Sequence, residues 1–211
     1  MSILGKVFAS KKKEAVPTEE EILQNVIAAH DYSSLPPFDY YPRAYEDDTL
    51  IQEETVCPCC GQTVPYIYRG RFHGDPGFTQ VCPWCIASGA AAMKYHGVFC
   101  KIKDHPEIPE EIRKQVGERT PCFEAWKEEQ WCTHCGDMAE YLGTAGWPEI
   151  EQLGSAELLA DLTGFAEEEV SWDGGKVESI LQHLDGDGTP RAYVFRCRKC
   201  GVMTGYYDNQ K

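Results

Sequence analysis

Cys57-Pro58-Cys59-Cys60-Gly61 is followed, after residues 62–81, by Cys82-Pro83-Trp84-Cys85. Two thiolates separated by two residues can both turn toward one tetrahedral ion. A glycine beside them lets backbone N–H groups approach the sulfurs without a Cβ clash. One such pair is a weak signal; two pairs joined by a hairpin pattern form a zinc ribbon. The spacing therefore predicts one Zn2+ held by Cys57, Cys60, Cys82 and Cys85. Cys59 is also within reach, but the Cys60–Gly61 step makes Cys60 the better ligand. Four thiolates leave no place for water, so this zinc is expected to be structural. The competing reading, Cys82-Pro-Trp-Cys85 as a redox pair before a helix, lacks the βαβ context of a thioredoxin-like fold.

Two more pairs follow, Cys132-Thr-His-Cys135-Gly136 and Cys197-Arg-Lys-Cys200-Gly201. They predict a second zinc site made of Cys132, Cys135, Cys197 and Cys200. The long gap between them is tolerable because loop length adds only slowly to closure cost. His134 and Asp137 either tune these thiolates from outside or form, with Cys135, a reactive centre. Cys59, Cys100 and Cys122 receive no role, and Cys122 reads as buried filler. No phosphate loop, serine elbow or His-Glu-x-x-His is present, so no catalytic residues are assigned.

Eleven cysteines in 211 residues could also describe a secreted disulfide scaffold. The start, Met1 to Lys13, lacks the apolar run of a signal peptide, and no later stretch is long enough to span a bilayer. The expected location is therefore the cytoplasm, where paired cysteines more often hold metal than form disulfides. Twenty basic against 34 acidic residues give a formal charge of −14. Two closed four-thiolate sites would carry it to about −18. From Glu149 to Asp187 the acids outnumber a single base, Lys176. Phosphate contacts dominate nucleic-acid affinity, so this balance disfavours nucleic acid despite Arg191, Arg196, Arg198 and Lys199 near the last pair. The acidic stretch suits either solubility or a basic partner.

Along the chain, residues 1–34 read as an extension with a short amphipathic helix. Thr18 and Glu21 form a capping box, and Ile22, Leu23, Val26 and Ile27 form its apolar stripe. Residues 35–105 make a first zinc-ribbon-like lobe. Its hairpin pairs Thr63–Arg71 with Phe78–Val81 through a turn at 74–77, and a helix follows over Ile86–Tyr95. Residues 106–211 make a second lobe, with a helix over Pro106–Val116. Its acidic helical insertion, 149–187, is expected to hold helices over Ala156–Leu162 and Lys176–Leu184. Asp185-Gly-Asp-Gly-Thr-Pro190 fails the calcium-loop template and reads as a turn before strands at 192–196 and 201–207. The fold class is α+β.

The order of motifs resembles the CbrC family: Leu35-Pro-Pro-Phe-Asp-Tyr-Tyr-Pro42, Cys57-x-x-Cys60-Gly61, Cys82-Pro-Trp-Cys-Ile-Ala87, His134-Cys-Gly-Asp137 and Tyr193-x-Phe-x-Cys197-x-x-Cys200-Gly201. The resemblance covers about residues 35–208. That family is named for a colicin tolerance protein and has no established enzymatic activity. It shows the His-Cys-x-Asp part more consistently than a cysteine at the place of Cys132, which leaves the second site open. The resemblance implies an immunity- or tolerance-like role. The expected partner is a basic protein such as a nuclease-type toxin, met by Glu167, Glu168, Glu169 and Asp173. An enzyme working at His134, Cys135 and Asp137 is the alternative.

Overall fold

The structure, a computed structural model, describes residues 16–102, 105–173 and 175–208, without the side chains of Trp172 and Asp173. The start, Met1 to Lys13, and the Asp173 carboxylate offered for a partner contact lie outside the described residues. The architecture is α+β, with three small antiparallel sheets ordered β1-β2, β3-β4 and β5-β6-β7.

Helix α1 (Glu19–Ala28) starts with the Thr18–Glu21 capping box and buries Leu23. The chain after it is tied down by the Trp84 indole, which donates to the carbonyls of Asp31 (2.7 Å) and Ser34 (3.1 Å). Strands β1 (Ile51–Val56) and β2 (Thr63–Ile67) pair as a hairpin whose loop carries the first cysteine pair. The expected hairpin of 63–71 with 78–81 is not what forms. Only one bridge, Tyr68 with Val81, joins those segments. The chain between them is diverted toward residues 95–98, where His73 bridges Val98. That diversion needs glycine twice: a Cβ on Gly97 would lie 2.5 Å from Gly74 Cα, and one on Gly74 2.6 Å from the Tyr95 carbonyl.

The helix expected over 86–95 is two short ones, α2 (Pro83–Ala87) and α3 (Ala90–Lys94). Gly89, at φ +81, breaks them apart. Helix α4 (Glu110–Arg119) follows, then the two-residue strands β3 (Thr133–His134) and β4 (Asp137–Met138).

The three-stranded sheet joins β5 (Glu140–Ala145), β6 (Arg191–Arg196) and β7 (Met203–Asp208), with α5 (Trp147–Leu153), α6 (Ala156–Asp173) and α7 (Val177–Gln182) between β5 and β6. Strand β6 is buried on both faces, and its alternation explains how. Ala192 and Val194 join the apolar cluster beneath α6, with Leu158, Leu162 and Ala166. Tyr193 and Phe195 face the main core, which runs from Leu23 through Tyr68 and Phe99 to Tyr206. The middle strand thus divides two apolar layers. No helix among the described residues is long and apolar enough to cross a membrane.

Candidate metal centres

Among the described residues, two groups of side chains bring their ligand atoms within 4.8 Å of one another: Cys57, Cys60, Cys82 and Cys85, and His134, Cys135, Cys197 and Cys200. The first is built from two turns. At Cys57–Cys60, the Gly61 N–H returns to the Cys57 carbonyl (2.7 Å), with Gly61 at φ +74. Cys82 precedes α2, whose first turn presents Cys85. The Tyr68–Val81 bridge sets these two turns beside each other. Cys57 Sγ lies 4.0 Å from Cys85 Sγ, and Cys60 Sγ 3.8 Å from Cys82 Sγ. Zn–S bonds of about 2.3 Å give a tetrahedron with edges of about 3.8 Å, so the spacing suits a zinc ion. Cys57, Cys82 and Cys85 are fully buried.

The electrostatics show what such a cluster requires. Hydrogen bonds from Cys57, Cys82 and Cys85 push the Cys60 thiol far down, while the same crowding, led by Cys57, pushes Cys85 far up. Four sulfurs this close cannot all ionise without a cation among them. Local donors relieve part of the charge. The Cys82 N–H donates to Cys57 Sγ (3.3 Å), and Lys94 Nζ donates to the carbonyls of Pro58 (2.8 Å) and Cys59 (3.0 Å). Cys59 is buried but is not one of the four converging groups.

The second group differs from the expected ligand set in one member: His134 stands in it and Cys132 does not. The reason is backbone geometry. In the pair at Cys197, Gly201 N–H returns to the Cys197 carbonyl (2.9 Å), repeating the turn at Cys57. The segment at Cys132 makes a tight hairpin instead, with Thr133 opposite Met138 and His134 opposite Asp137. Its two-residue turn is Cys135-Gly136, at φ +52 and +67. Positive φ at both central residues is the signature of a type I′ turn. Cys132 is left down the strand, its carbonyl bonded to the Ala139 N–H at 2.9 Å. Its thiol, pushed up to about 12 by burial, faces a cleft shared with Asp161 and Thr204.

His134 Nδ1 lies 3.2 Å from Cys135 Sγ and 3.3 Å from Cys200 Sγ, and those two sulfurs are 3.8 Å apart. A zinc held by one imidazole and three thiolates would set the nitrogen about 3.6 Å from each sulfur, so this group also suits the ion. Burial pushes the Cys197 thiol up, but the backbone N–H groups of Cys200 and Lys199 outweigh it and hold it at about 6. Lys199 Nζ donates to the carbonyls of Cys135 (3.0 Å) and Gly136 (3.4 Å), as Lys94 does at the first group. Unlike the first, this group faces solvent: Cys135 and Cys200 are exposed. Thiolate and imidazole together are a donor set suited to zinc, and either group could hold a metal ion.

Asp137 is buried and turned away from the sulfurs, accepting a hydrogen bond from the Tyr40 hydroxyl (3.0 Å). Tyr40 is pushed up to about 12 by burial and by that carboxylate. Arg198 covers the Tyr40 ring at 4.3 Å, so the last cysteine pair is anchored to the segment before β1. Two of the three cysteines left without a role by the sequence reading, Cys100 and Cys122, are joined by a disulfide between buried positions. Cys122 is therefore not mere filler. Of the acids proposed for a partner, Glu167 and Glu168 are exposed on α6. Glu169 instead accepts from the Tyr207 hydroxyl (2.8 Å).

An α+β chain with two cysteine-rich groups able to bind metal is the class these features define. The chain belongs to the family described as "Uncharacterised protein family (UPF0167)", whose model matches residues 35–209. It is 35% identical over 181 residues to UPF0167 protein Mb2317 of Mycobacterium bovis and to UPF0167 protein MT2352 of Mycobacterium tuberculosis. That match covers 82% of this chain and 93% of each of theirs. To UPF0167 protein PA1536 of Pseudomonas aeruginosa it is 34% identical over 182 residues, covering 82% of this chain and 96% of that one. No solved structure matches. These findings overturn the resemblance to the CbrC family: both the family model and the relatives are UPF0167. The toxin-tolerance description drawn with that resemblance, and the zinc-ribbon description drawn from the cysteine spacing, are not carried by these relatives. The match begins after α1, at residue 35.

Proposed function

We propose that this chain is a zinc-stabilised, acidic binding module whose partner is a basic protein surface. Zinc would occupy both groups, held by Cys57, Cys60, Cys82 and Cys85 and by His134, Cys135, Cys197 and Cys200. Each group supplies four donors, which fills a tetrahedral ion and leaves no position for a reacting water. The metal then has a structural task, fixing the β1-β2 loop to α2 and the β3-β4 turn to the loop between β6 and β7. Each half is in that sense ribbon-like.

The observation that carries the binding reading is the division of labour on α6. Its inner face, Leu158, Leu162 and Ala166, is spent on the sheet, and Asp161 and Glu169 are spent on β7 through Thr204 and Tyr207. Glu167 and Glu168 remain exposed, as do Glu157 and Glu178 nearby in sequence. An acidic face of this kind speeds and orients encounter with a basic surface and is screened by salt. A catalytic role for His134, Cys135 and Asp137 has weaker support, because the first two belong to a metal group and the third is engaged by Tyr40.

The test is metal content by elemental analysis, followed by binding of the full chain to basic proteins such as histones across salt. Two zinc ions per chain are expected, with affinity falling steeply from about 50 to about 500 mM salt. The double reversal Glu167→Lys/Glu168→Lys should weaken binding about tenfold or more. Unchanged binding in that variant would remove the acidic face from the account.

A further inference from the structure

In the first metal group Cys57, Cys82 and Cys85 are fully buried, whereas Cys60 is only partly covered. The segment that meets Cys60 from outside is 30–34, which follows α1 and ends just before the family match begins at residue 35. It is fastened to α2, the helix that presents Cys85. The Trp84 indole donates to the carbonyls of Asp31 (2.7 Å) and Ser34 (3.1 Å), and its ring lies against Tyr32 with centroids 5.1 Å apart. His30 Nε2 lies 2.8 Å from the Ser88 hydroxyl at the C-terminal end of α2, and its Nδ1 lies 3.0 Å from the Tyr32 hydroxyl. Behind this segment α1 packs on α3. A groove of about 410 Å3 opens between it and residues 62–65.

The protons of this cluster follow from its inner end. The Tyr32 hydroxyl meets the Cys60 sulfur, a contact that favours the thiolate. A phenol has a single proton to give. With that proton directed to Cys60, His30 Nδ1 must donate to the Tyr32 oxygen, which leaves Nε2 to accept from Ser88. The Ser88 oxygen in turn accepts from the Ala90 N–H (3.3 Å). One directed run of hydrogen bonds therefore starts on α2, passes through His30 and Tyr32, and ends on a sulfur of the metal group.

A metal ion held by four thiolates leaves as its sulfurs are replaced one at a time, beginning with the sulfur that solvent reaches. Here that sulfur is Cys60. We propose that residues 30–34 are a strap that closes the first metal group, with Tyr32 as the outer donor that holds Cys60 on the ion, so that the strap sets the rate of metal exchange. This inference rests on zinc occupying that group, and its test separates the two. Removing an outer hydrogen-bond partner of a metal ligand commonly weakens the site by about tenfold or more. The second group, with Cys135 and Cys200 exposed, serves as an internal control.

Zinc release from the full chain into EDTA tests the strap, with metal and circular dichroism followed together. The slower phase reports the first group. Tyr32→Ala should speed that phase about tenfold and let zinc leave before circular dichroism is lost, with the fast phase unchanged. Tyr32→Phe keeps the ring against Trp84 but lacks the donor, and should speed the slower phase about threefold or more. His30→Ala, acting through Tyr32, should match Tyr32→Phe. Ile22→Ala, exposed on α1, should leave both phases unchanged. A slower phase that neither Tyr32 variant alters, or that speeds only in step with unfolding, would overturn the strap and leave the zinc reading standing. Equal zinc content in the wild-type chain and in Cys57→Ser would overturn both.

Discussion

His134 Nδ1 lies 3.3 Å from the sulfur of Cys200, at the other end of a long excursion through three helices. Cys132, two residues before His134 in sequence, takes no part in that cluster. His134→Ala should therefore lower zinc content from about two ions per chain to about one, whereas Cys132→Ser should leave it unchanged. Cobalt substitution gives a second readout. A site with three sulfurs and one nitrogen has weaker charge-transfer absorption than one with four sulfurs, and only His134→Ala should alter it. A loss of metal in Cys132→Ser with retention in His134→Ala would restore the four-thiolate reading.

The first cysteine group was legible in sequence because it is made locally. Each half is a short turn, and Gly61 announces the first. The second was legible only in part, because Cys-x-x-Cys spacing hides two different backbones. Cys197–Cys200 closes like Cys57–Cys60, but Cys135-Gly136 is itself a hairpin turn, flanked by residues that can pair. A Cys-Gly dipeptide able to hold φ > 0 at both positions was the available signal. Strand β5 went unread because Gly143 interrupts its pattern, and the sheet accommodates it with a shift of register between Tyr141 and Gly143. Helix α6 runs past the expected end at Leu162, to Asp173. What extends it is tertiary: Ala166, on its inner face, joins the apolar cluster against β6, and Tyr207 holds Glu169, neither visible in local propensity.

Exposure separates the two metal groups in kinetics. Cys135 and Cys200 face solvent, while Cys57, Cys82 and Cys85 are fully buried. A chelator such as EDTA should remove one zinc in a fast phase with little change in circular dichroism. The second should leave slowly and together with unfolding, because binding energy at a structural site is folding energy. Cys200→Ser should abolish the fast phase alone. Release of both ions in one step would mean that the groups are not independent.

Gly205 lies where α6 crosses β7. A Cβ there would meet the Tyr193 carbonyl at 2.5 Å and Leu158 Cδ1 at 2.8 Å. The carbonyl belongs to a strand buried on both faces and cannot retreat. Gly205→Ala should therefore destabilise the chain by about 1–3 kcal/mol or more, read as a lower midpoint in urea. Leu162→Ala, on the same helix face, should cost about 2–5 kcal/mol through the cavity it leaves. Glu168→Ala, on the outer face, should change stability by less than about 0.5 kcal/mol.

The buried tyrosines set the alkaline limit of stability. Tyr40 is pushed up to about 12 by burial and Asp137, and Tyr95 to about 12 by burial and the nearby thiols. Tyr41, Tyr68, Tyr141 and Tyr206 are raised further, burial being the main cause in each. In the unfolded chain these phenols ionise near about pH 10. Between that pH and the folded value, the native state holds protons that the unfolded state has lost, so stability falls as pH rises. The contribution is fully present below about pH 10 and is lost as pH climbs through about 12. Tyrosinate absorbance should accordingly rise mainly in one cooperative step that coincides with loss of circular dichroism. Tyr40→Phe removes one of the raised phenols but leaves the buried Asp137 without its donor. It should lower stability at neutral pH and soften the alkaline decline. An unchanged alkaline slope in that variant would mean that Tyr40 ionises no later in the fold than out of it.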